Sequence, residues 1–447
     1  MDTRDESDLL GTVAVPTLAL YGAQTERARR NFPNTGFHSR RLGDFPELVR
    51  ALLLCKKAAA RLNREIGALD PEVAKAIEAA ADQLAATIHP RDFPLHSLHG
   101  GGGTSANMNA NEVLANAAEE HLGGKRGHYQ RVHPNDHVNL HQSTNDVYPT
   151  ACRLAVRLAW PLCRTRIEGV IASLDERIAT IGPTNRIART CLQDALVITF
   201  GDYLGGIRAL IQRQLGELET AVGRLADVSL GGSAVGRPDD VPPAYFEGII
   251  PTLRELSGDD RLERTANLFD AYQNLDDLVA CSDQLARFAR SLIKIGKDLR
   301  LLASGPETGF SEIEIPAVQP GSSMMPGKIN PVIPEFLIQS CFRIIGLSQS
   351  ASMALDHGEL DLNVWESTVV TAILESLELL GDSLDTFAER CLKGIEPNQA
   401  QNLRNLGATI PRLTEMAKKE GYAAVSKREG ARRQPPGRNP PSPRAKV

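Results

Sequence analysis

Residues Arg261 to Ile295 read RLERTANLFDAYQNLDDLVACSDQLARFARSLIKI, with neither glycine nor proline. Leu268, Tyr272, Leu275 and Val279 recur along it at threes and fours, so the spacing predicts one amphipathic helix roughly 50 Å long. The same pattern appears on both sides of it. Ile207, Ile211, Leu215, Leu218, Val222 and Leu225 mark a second face, and Ile167, Ile171, Leu174 and Ile178 a third. Residues 332–355 and 364–392 add two more apolar helical stretches. Nearer the start, EVAKAIEAAADQLAATI (Glu72 to Ile88) is a shorter helix, with Val73, Ile77, Ala80 and Leu84 on one side. Several long helices with near-heptad spacing argue for an all-α bundle. Their apolar faces exceed what one short bundle covers, which implies burial between subunits.

The composition is ordinary and excludes little. The 447 residues are 42% hydrophobic and 23% charged, an ordinary globular balance, and length alone suggests roughly two to four domains. A net charge of -5 with a pI near 6.1 gives no electrostatic footprint for nucleic acid. The opening MDTRDESDLL is acidic and lacks an apolar core, so no signal peptide is expected. No apolar run reaches bilayer length, so no membrane partner is expected. The seven cysteines, Cys55, Cys152, Cys163, Cys191, Cys281, Cys341 and Cys391, form no paired spacing. They read as reduced thiols of a cytoplasmic protein. At the far end, ARRQPPGRNPPSPRAKV (Ala431 to Val447) holds five prolines and five basic residues; it is expected to be disordered.

Four polar islands interrupt the helices. HGGGGTSANMNANE (His99 to Glu112) sets four glycines before Thr104, Ser105 and Asn107. Free N–H groups at such a helix start suit an anion, and a glycine loop with a threonine N-cap explains the same residues. HPNDHVNLHQSTNDVYPT (His133 to Thr150) contains the consecutive hydrogen-bonding residues Ser143, Thr144 and Asn145, as a dicarboxylate site requires. His133, His137 and His141 fall four apart, but Pro134 and Asn135 interrupt that pattern and no Cys or Glu completes a ligand set, so no metal is assigned. RTCLQDA (Arg189 to Ala195) offers Thr190 and Cys191, and reads equally as a helix start. GSSMMPGKINPVIPE (Gly321 to Glu335) combines glycine freedom, the hydroxyls of Ser322 and Ser323, the point charge of Lys328 and the amide of Asn330. A serine beside a lysine serves as nucleophile or base when donors stabilise its alkoxide, and a proline-punctuated linker is the plain alternative.

Together the islands resemble the aspartase/fumarase superfamily. GSSMMPGKINP resembles its signature, and the other islands match in the same order, as do DLLGTVAVPTLALYGAQTERARRNF, LDLNVWES and GIEPN. The resemblance spans roughly residues 8 to 400. GTSANMNANEVLAN, HYQ before HPNDHVN, QSTND and INPVIPE look like the aspartase branch, whereas Gly327 is the fumarase-style choice. The resemblance implies an N-terminal mainly helical domain over 1–137 and a central domain of five long helices over 138–395. A short diverged C-terminal domain over 396–430 and the tail 431–447 follow. It further implies a homotetramer with a twenty-helix core, in which each active site draws on three subunits.

The activity so implied is reversible elimination of ammonia from L-aspartate to give fumarate. Proton removal next to a carboxylate creates an enediolate-like dianion, whose extra charge needs preorganised donors. By resemblance Ser322 is the general base, as its alkoxide, on a loop that closes over substrate. Lys328 and Asn330 hold a carboxylate. Thr104, Ser143, Thr144 and Asn145 hold the β-carboxylate and its growing charge, Thr190 helps fix the substrate, and Ser105, Asn107 and Cys191 join them as substrate-binding residues. No cofactor is implied. The sequence departs from relatives at Cys191, where His or Gln is common, and no histidine occurs between His141 and His357. That absence counts against hydratase chemistry. His141 and GGSAVGRPDDVP (Gly231 to Pro242), with Arg237, also depart. Two further readings remain: a lyase of the family acting on a larger amino acid or another leaving group, and a non-catalytic structural relative. Retention of Ser322, Lys328 and Asn330 speaks against the second.

Overall fold

The computed structural model describes residues 2–36 and 39–433. The chain opens with the hairpin β1 (Thr3–Asp8) and β2 (Gly11–Pro16). Helices α1 (Ala23–Asn31), α2 (Pro46–Glu65), α3 (Pro71–Ala86), α4 (Thr104–His121) and α5 (Thr144–Ile181) follow, then a second hairpin, β3 (Asn185–Thr190) and β4 (Gln193–Thr199). Next come α6 (Phe200–Arg224), β5 (Asp227–Val228), α7 (Pro243–Ser257), β6 (Glu263–Arg264), α8 (Leu268–Gln273) and α9 (Asp276–Leu302). The remainder comprises β7 (Ile313–Glu314), α10 (Val332–Leu355), α11 (Glu366–Arg390), β8 (Glu396–Pro397), α12 (Gln399–Leu406), α13 (Thr409–Glu420) and α14 (Tyr422–Arg433). The fold is predominantly helical, and its strands form four two-stranded sheets among the described residues. Helix α14 takes in the first three residues of the expected disordered tail; residues 434–447 lie outside the described residues.

The single helix expected from Arg261 does not form. Arg264 ends a strand, α8 is one short helix, and the long helix starts only at Asp276. Two asparagines explain the break. The side chain of Asn267 accepts from the N–H groups of Phe269 and Asp270 and starts α8 afresh. Asn274 then adopts φ −124°, ψ 141°, outside helical space. Asp276 and Asp277 occupy the first turn of α9, where the helix dipole favours carboxylates. Absence of glycine and proline was a weaker signal than these caps.

Two compact units divide the chain. The larger comprises residues 1–168, 212–294 and 336–385, and the smaller 169–211, 295–335 and 386–447. The boundaries fall within α5, α6, α9, α10 and α11. In the larger unit, α2 packs on α3 and α7, and α4 on α1 and α3. The first part of α5 is buried on every side from Asp146 to Arg157, so its core includes charges that must be paired. Arg153 forms a two-point ion pair with Asp277 at 2.7 and 2.9 Å. Arg157 reaches Asp259 at 2.6 Å and the carbonyl of Val222 at 3.0 Å. Among the described residues no helix is long and apolar enough to cross a membrane.

Candidate active site

The first polar island becomes the start of α4. Gly100 to Gly103 turn the chain, and Gly103, at φ +84°, stands in the N-cap position ahead of Thr104. A side chain at Gly103 would lie 2.3 Å from the ring of Tyr148, so the position needs glycine for space as well as for conformation. Thr104 therefore belongs to the helix rather than capping it, and is exposed, with Ser105 half-buried beside it. The rest of NMNANE is largely structural. Glu112 caps α1, accepting from the N–H groups of Gly22, Gln24 and Thr25 at 2.9, 2.8 and 3.1 Å. Asn107 instead points to the second island. Its Nδ2 donates to Thr144 Oγ1 at 3.1 Å and to Asn139 Oδ1 at 3.2 Å.

The second island forms a turn of π-helix, Pro134–Val138, that leads into α5. The histidines are engaged locally. His133 Nδ1 accepts from the N–H groups of Asn135 and Asp136, His137 Nδ1 accepts from the N–H of His133, and His141 Nδ1 lies 2.8 Å from Asn63 Oδ1. Among the described residues no three His, Cys, Asp or Glu side chains converge as metal ligands. Ser143, Thr144 and Asn145 are held together, all half-buried. Ser143 Oγ accepts from the N–H of Asn145 at 3.2 Å, and Asn145 Nδ2 donates to the carbonyl of Ala234 at 2.8 Å. Buried Asp146 anchors them: it accepts from the N–H groups of Ser143 at 3.0 Å, Gly231 at 2.9 Å and Ser233 at 3.2 Å. Burial pushes its carboxyl up to about 6, against those three donors. The loop carrying Arg237 is thus tied to the island by its backbone. Arg237 itself is exposed and 3.5 Å from Asp240.

Thr190 and Cys191 lie in the smaller unit. RTCLQDA is no helix start: Thr190 ends β3, Gln193 begins β4, and Cys191 with Leu192 forms the two-residue turn. Both turn residues have positive φ, 52° and 58°. A tight hairpin needs that geometry to match strand twist, and Asn-Gly normally supplies it. Here neither residue is glycine, so the turn carries strain of about 1–3 kcal/mol per residue. Cys191 is the exposed cysteine among seven. Leu192→Gly should raise the melting temperature by about 1–2 °C, as strain relief exceeds the added chain entropy; a fall would show that Leu192 contributes contacts that outweigh its strain.

The fourth island is a self-closed loop of the same unit. The N–H of Gly321 donates to the carbonyl of Lys328, and Asn330 Nδ2 donates to the carbonyl of Gly321, each at 2.8 Å. A side chain at Gly321 would sit 2.6 Å from the carbonyl oxygen of Lys328. Inside the ring, Ser322 Oγ accepts from the N–H groups of Met324 at 3.2 Å and Met325 at 3.0 Å. The loop borders an open cleft of ≈ 520 Å³ lined by Gln319, Ser322, Met325 and Lys328 among others. Lys328 is exposed, as are Met324, Met325 and Ile329.

Sequence reasoning missed the groups behind these side chains. Lys56 is fully buried on α2 and donates to Asn139 Oδ1 at 2.8 Å and Gln142 Oε1 at 3.0 Å. A signal was present, since Lys56 lies on the stripe Leu48, Leu52, Cys55, Ala59 that faces the core. Glu312, also fully buried, holds Arg186 at 3.2 Å and Arg189 at 2.5 Å beside the hairpin.

Residues 11–346 match the lyase family. The aspartate ammonia-lyase of Pseudomonas fluorescens is 40% identical over 420 residues, 94% of this chain and 87% of that protein. The class II fumarate hydratase of Neisseria meningitidis is 40% identical over 431 residues, 96% of this chain and 91% of that protein. A solved structure of fumarate lyase:delta crystallin from Brucella melitensis, bound to cobalt, aligns with a TM-score of 0.92 at 42% identity, covering 97% of this chain and 94% of that one.

Proposed function

The chain belongs to the lyase family, the aspartase/fumarase superfamily, and on that premise we propose that it eliminates ammonia from L-aspartate to give fumarate. The observation that carries this reading is the pair of backbone N–H groups aimed at Ser322 Oγ. Hydrogen bonds to the charged form of an oxygen favour that form, so this serine is set up to lose its proton. Its alkoxide takes the proton from the β-carbon, and the electron pair moves into the adjacent carboxylate. Return of that pair forms the double bond as the C–N bond breaks, and ammonia departs with the C–N electrons. Lys328 and Asn330 hold one carboxylate. Thr104, Ser105, Asn107, Ser143, Thr144 and Asn145 surround the other with neutral donors, and Thr190 and Cys191 border the amine. No cofactor enters these steps. Each site draws its groups from three subunits of a cytoplasmic homotetramer.

A second reading, hydration of fumarate, is favoured by the relatives named fumarate hydratase. Position 191 separates the two, because Cys is a weak donor where a histidine would serve hydratase chemistry. The test follows absorbance of the unsaturated product with aspartate, malate and larger α-amino acids. Aspartate should exceed malate in kcat/KM by roughly tenfold or more. Cys191→His and Cys191→Gln should keep or improve aspartate turnover, and histidine tolerates the positive φ of this position. A preference for malate would establish the hydratase. Loss of a larger substrate in both variants, without gain on aspartate, would establish a lyase of wider pocket.

A further inference from the structure

We propose that Lys56 is a positioning residue that fixes the amide orientations of Asn139 and Asn107 and thereby turns the hydroxyl proton of Thr144 toward the substrate carboxylate. The inference rests on the function proposed above, which requires Thr144 to act as a donor. Its basis is a chain of hydrogen bonds in which each direction forces the next.

As an ammonium, Lys56 presents only N–H groups to its neighbours, so both amides beside it must offer oxygen: Asn139 Oδ1 at 2.8 Å and Gln142 Oε1 at 3.0 Å. The opposite ends of the two amides agree with that orientation. Asn139 Nδ2 donates to the carbonyl of Gln142 at 3.0 Å, and Gln142 Nε2 to that of Val138 at 2.9 Å. Asn139 Oδ1 then receives three donors, from Lys56, from Asn107 Nδ2 at 3.2 Å and from Asn111 Nδ2 at 3.1 Å. Asn107 can therefore turn only nitrogen to this centre, and the same nitrogen donates to Thr144 Oγ1 at 3.1 Å. With that lone pair taken, the Thr144 proton cannot point at Asn107 and is directed away from it. If Lys56 offered no donor, only the bond from Asn139 Nδ2 to the Gln142 carbonyl would hold Asn139 in this orientation; where Asn139 flips, Asn107 can follow, and Thr144 spends its proton inside the protein.

Two features fit this role. Asn107 Oδ1 and Asn111 Oδ1 are buried without a partner among the described residues, so both amides are held with nitrogen toward Asn139 although their own oxygens go unsatisfied. Asp146, the buried carboxylate that anchors Ser143, makes no hydrogen bond to Lys56, which leaves the ammonium to the amides. Burial pushes Lys56 down to about 7, against the nearby charge of Asp146, and in the neutral form its two N–H groups still match the two amide oxygens.

The experiment compares Lys56→Met with Lys56→Gln in the full chain. It measures kcat/KM on aspartate and malate, melting temperature, and calorimetric binding of succinate. Methionine brings no polar group of its own to desolvate, and Asn139 Oδ1 keeps the donors of Asn107 and Asn111, so it should equal or exceed glutamine in stability. Glutamine keeps a donor for Asn139, so it should exceed methionine in kcat/KM and in succinate affinity by roughly tenfold, with KM carrying most of the difference. Opposite orders of stability and function are the expected result. The same order in both, or no difference in function, would overturn the assignment and leave the lyase reading intact. If the parent turns over no substrate, the lyase reading fails and the succinate order alone decides the role of Lys56; a parent that does not bind succinate overturns both. Should neither Lys56 variant fold, Asn139→Asp and Asn139→Leu replace them. Aspartate keeps oxygen toward Asn107 and should bind succinate roughly tenfold tighter than leucine; equal binding would overturn the proposal.

Discussion

Ser322→Ala should lower kcat by about 10²–10⁴-fold, the range for loss of a positioned base, while the melting temperature hardly moves. The small stability effect follows from exposure. The hydroxyl is half-buried, and the two N–H groups it receives belong to exposed Met324 and Met325, so water replaces it. The loop also closes without it, through Gly321, Lys328 and Asn330. The large catalytic effect follows from the same two N–H groups, because they lower the free energy of an oxyanion at Oγ and alanine gives them nothing to stabilise. The adjacent hydroxyl is the control: Ser323 is exposed, and Ser323→Ala should lose less than about tenfold. Turnover of Ser322→Ala within a few-fold of the parent would remove Ser322 from the role. If Ser323→Ala instead showed the large loss, the base would be its neighbour and the lyase reading would stand.

The helices legible in the sequence were those with an apolar stripe and marked ends. The pattern of residues 332–355 matches α10 at both ends, and that of Glu72 to Ile88 matches α3, where Asp70 caps the N–H groups of Glu72 and Val73. Periodicity failed where a short polar side chain competed for the backbone, as Asn267 does within the Arg261 stretch. It failed again at RTCLQDA, because a turn of positive φ built from Cys and Leu has no compositional signature. In the candidate site, the residue types that touch ligand were visible as islands of hydroxyls and amides. Their supports were not. Lys56 sits 83 residues from Asn139, Glu312 lies 126 residues from Arg186, and nothing local to either residue names its partner.

Glu312 yields the largest structural effect. Glu312→Ala should destabilise the protein by about 3–5 kcal/mol, because it strands buried Arg186 and half-buried Arg189 rather than removing a surface pair. The carboxylate is fully buried and meets Arg186, Arg189 and Asn405 Nδ2, the last at 2.9 Å. Both guanidinium groups also stack on rings, Arg186 over Tyr203 at 4.8 Å and Arg189 over Phe310 at 4.7 Å, so neither can swing out without losing packing. The backbone carbonyl of Glu312 accepts from Asn402 Nδ2 at 2.7 Å and the N–H of Asn398 at 2.9 Å, and these bonds survive the substitution. The damage should therefore concentrate on β3, which carries both arginines and ends at Thr190. Glu312→Gln separates charge from shape: it keeps an acceptor for Asn405 or an arginine but leaves Arg186 without this countercharge and Arg189 with Asp194 alone, at 3.8 Å, and should fall between the parent and alanine. Denaturant unfolding measures the loss, and proteolysis within 185–199 measures where it falls. An alanine variant as stable as the parent would show that water or a shift of the arginines relieves the buried charge. A destabilised variant with an unchanged cleavage rate in the hairpin would show that Glu312 braces α12 and not the segment bearing Thr190 and Cys191.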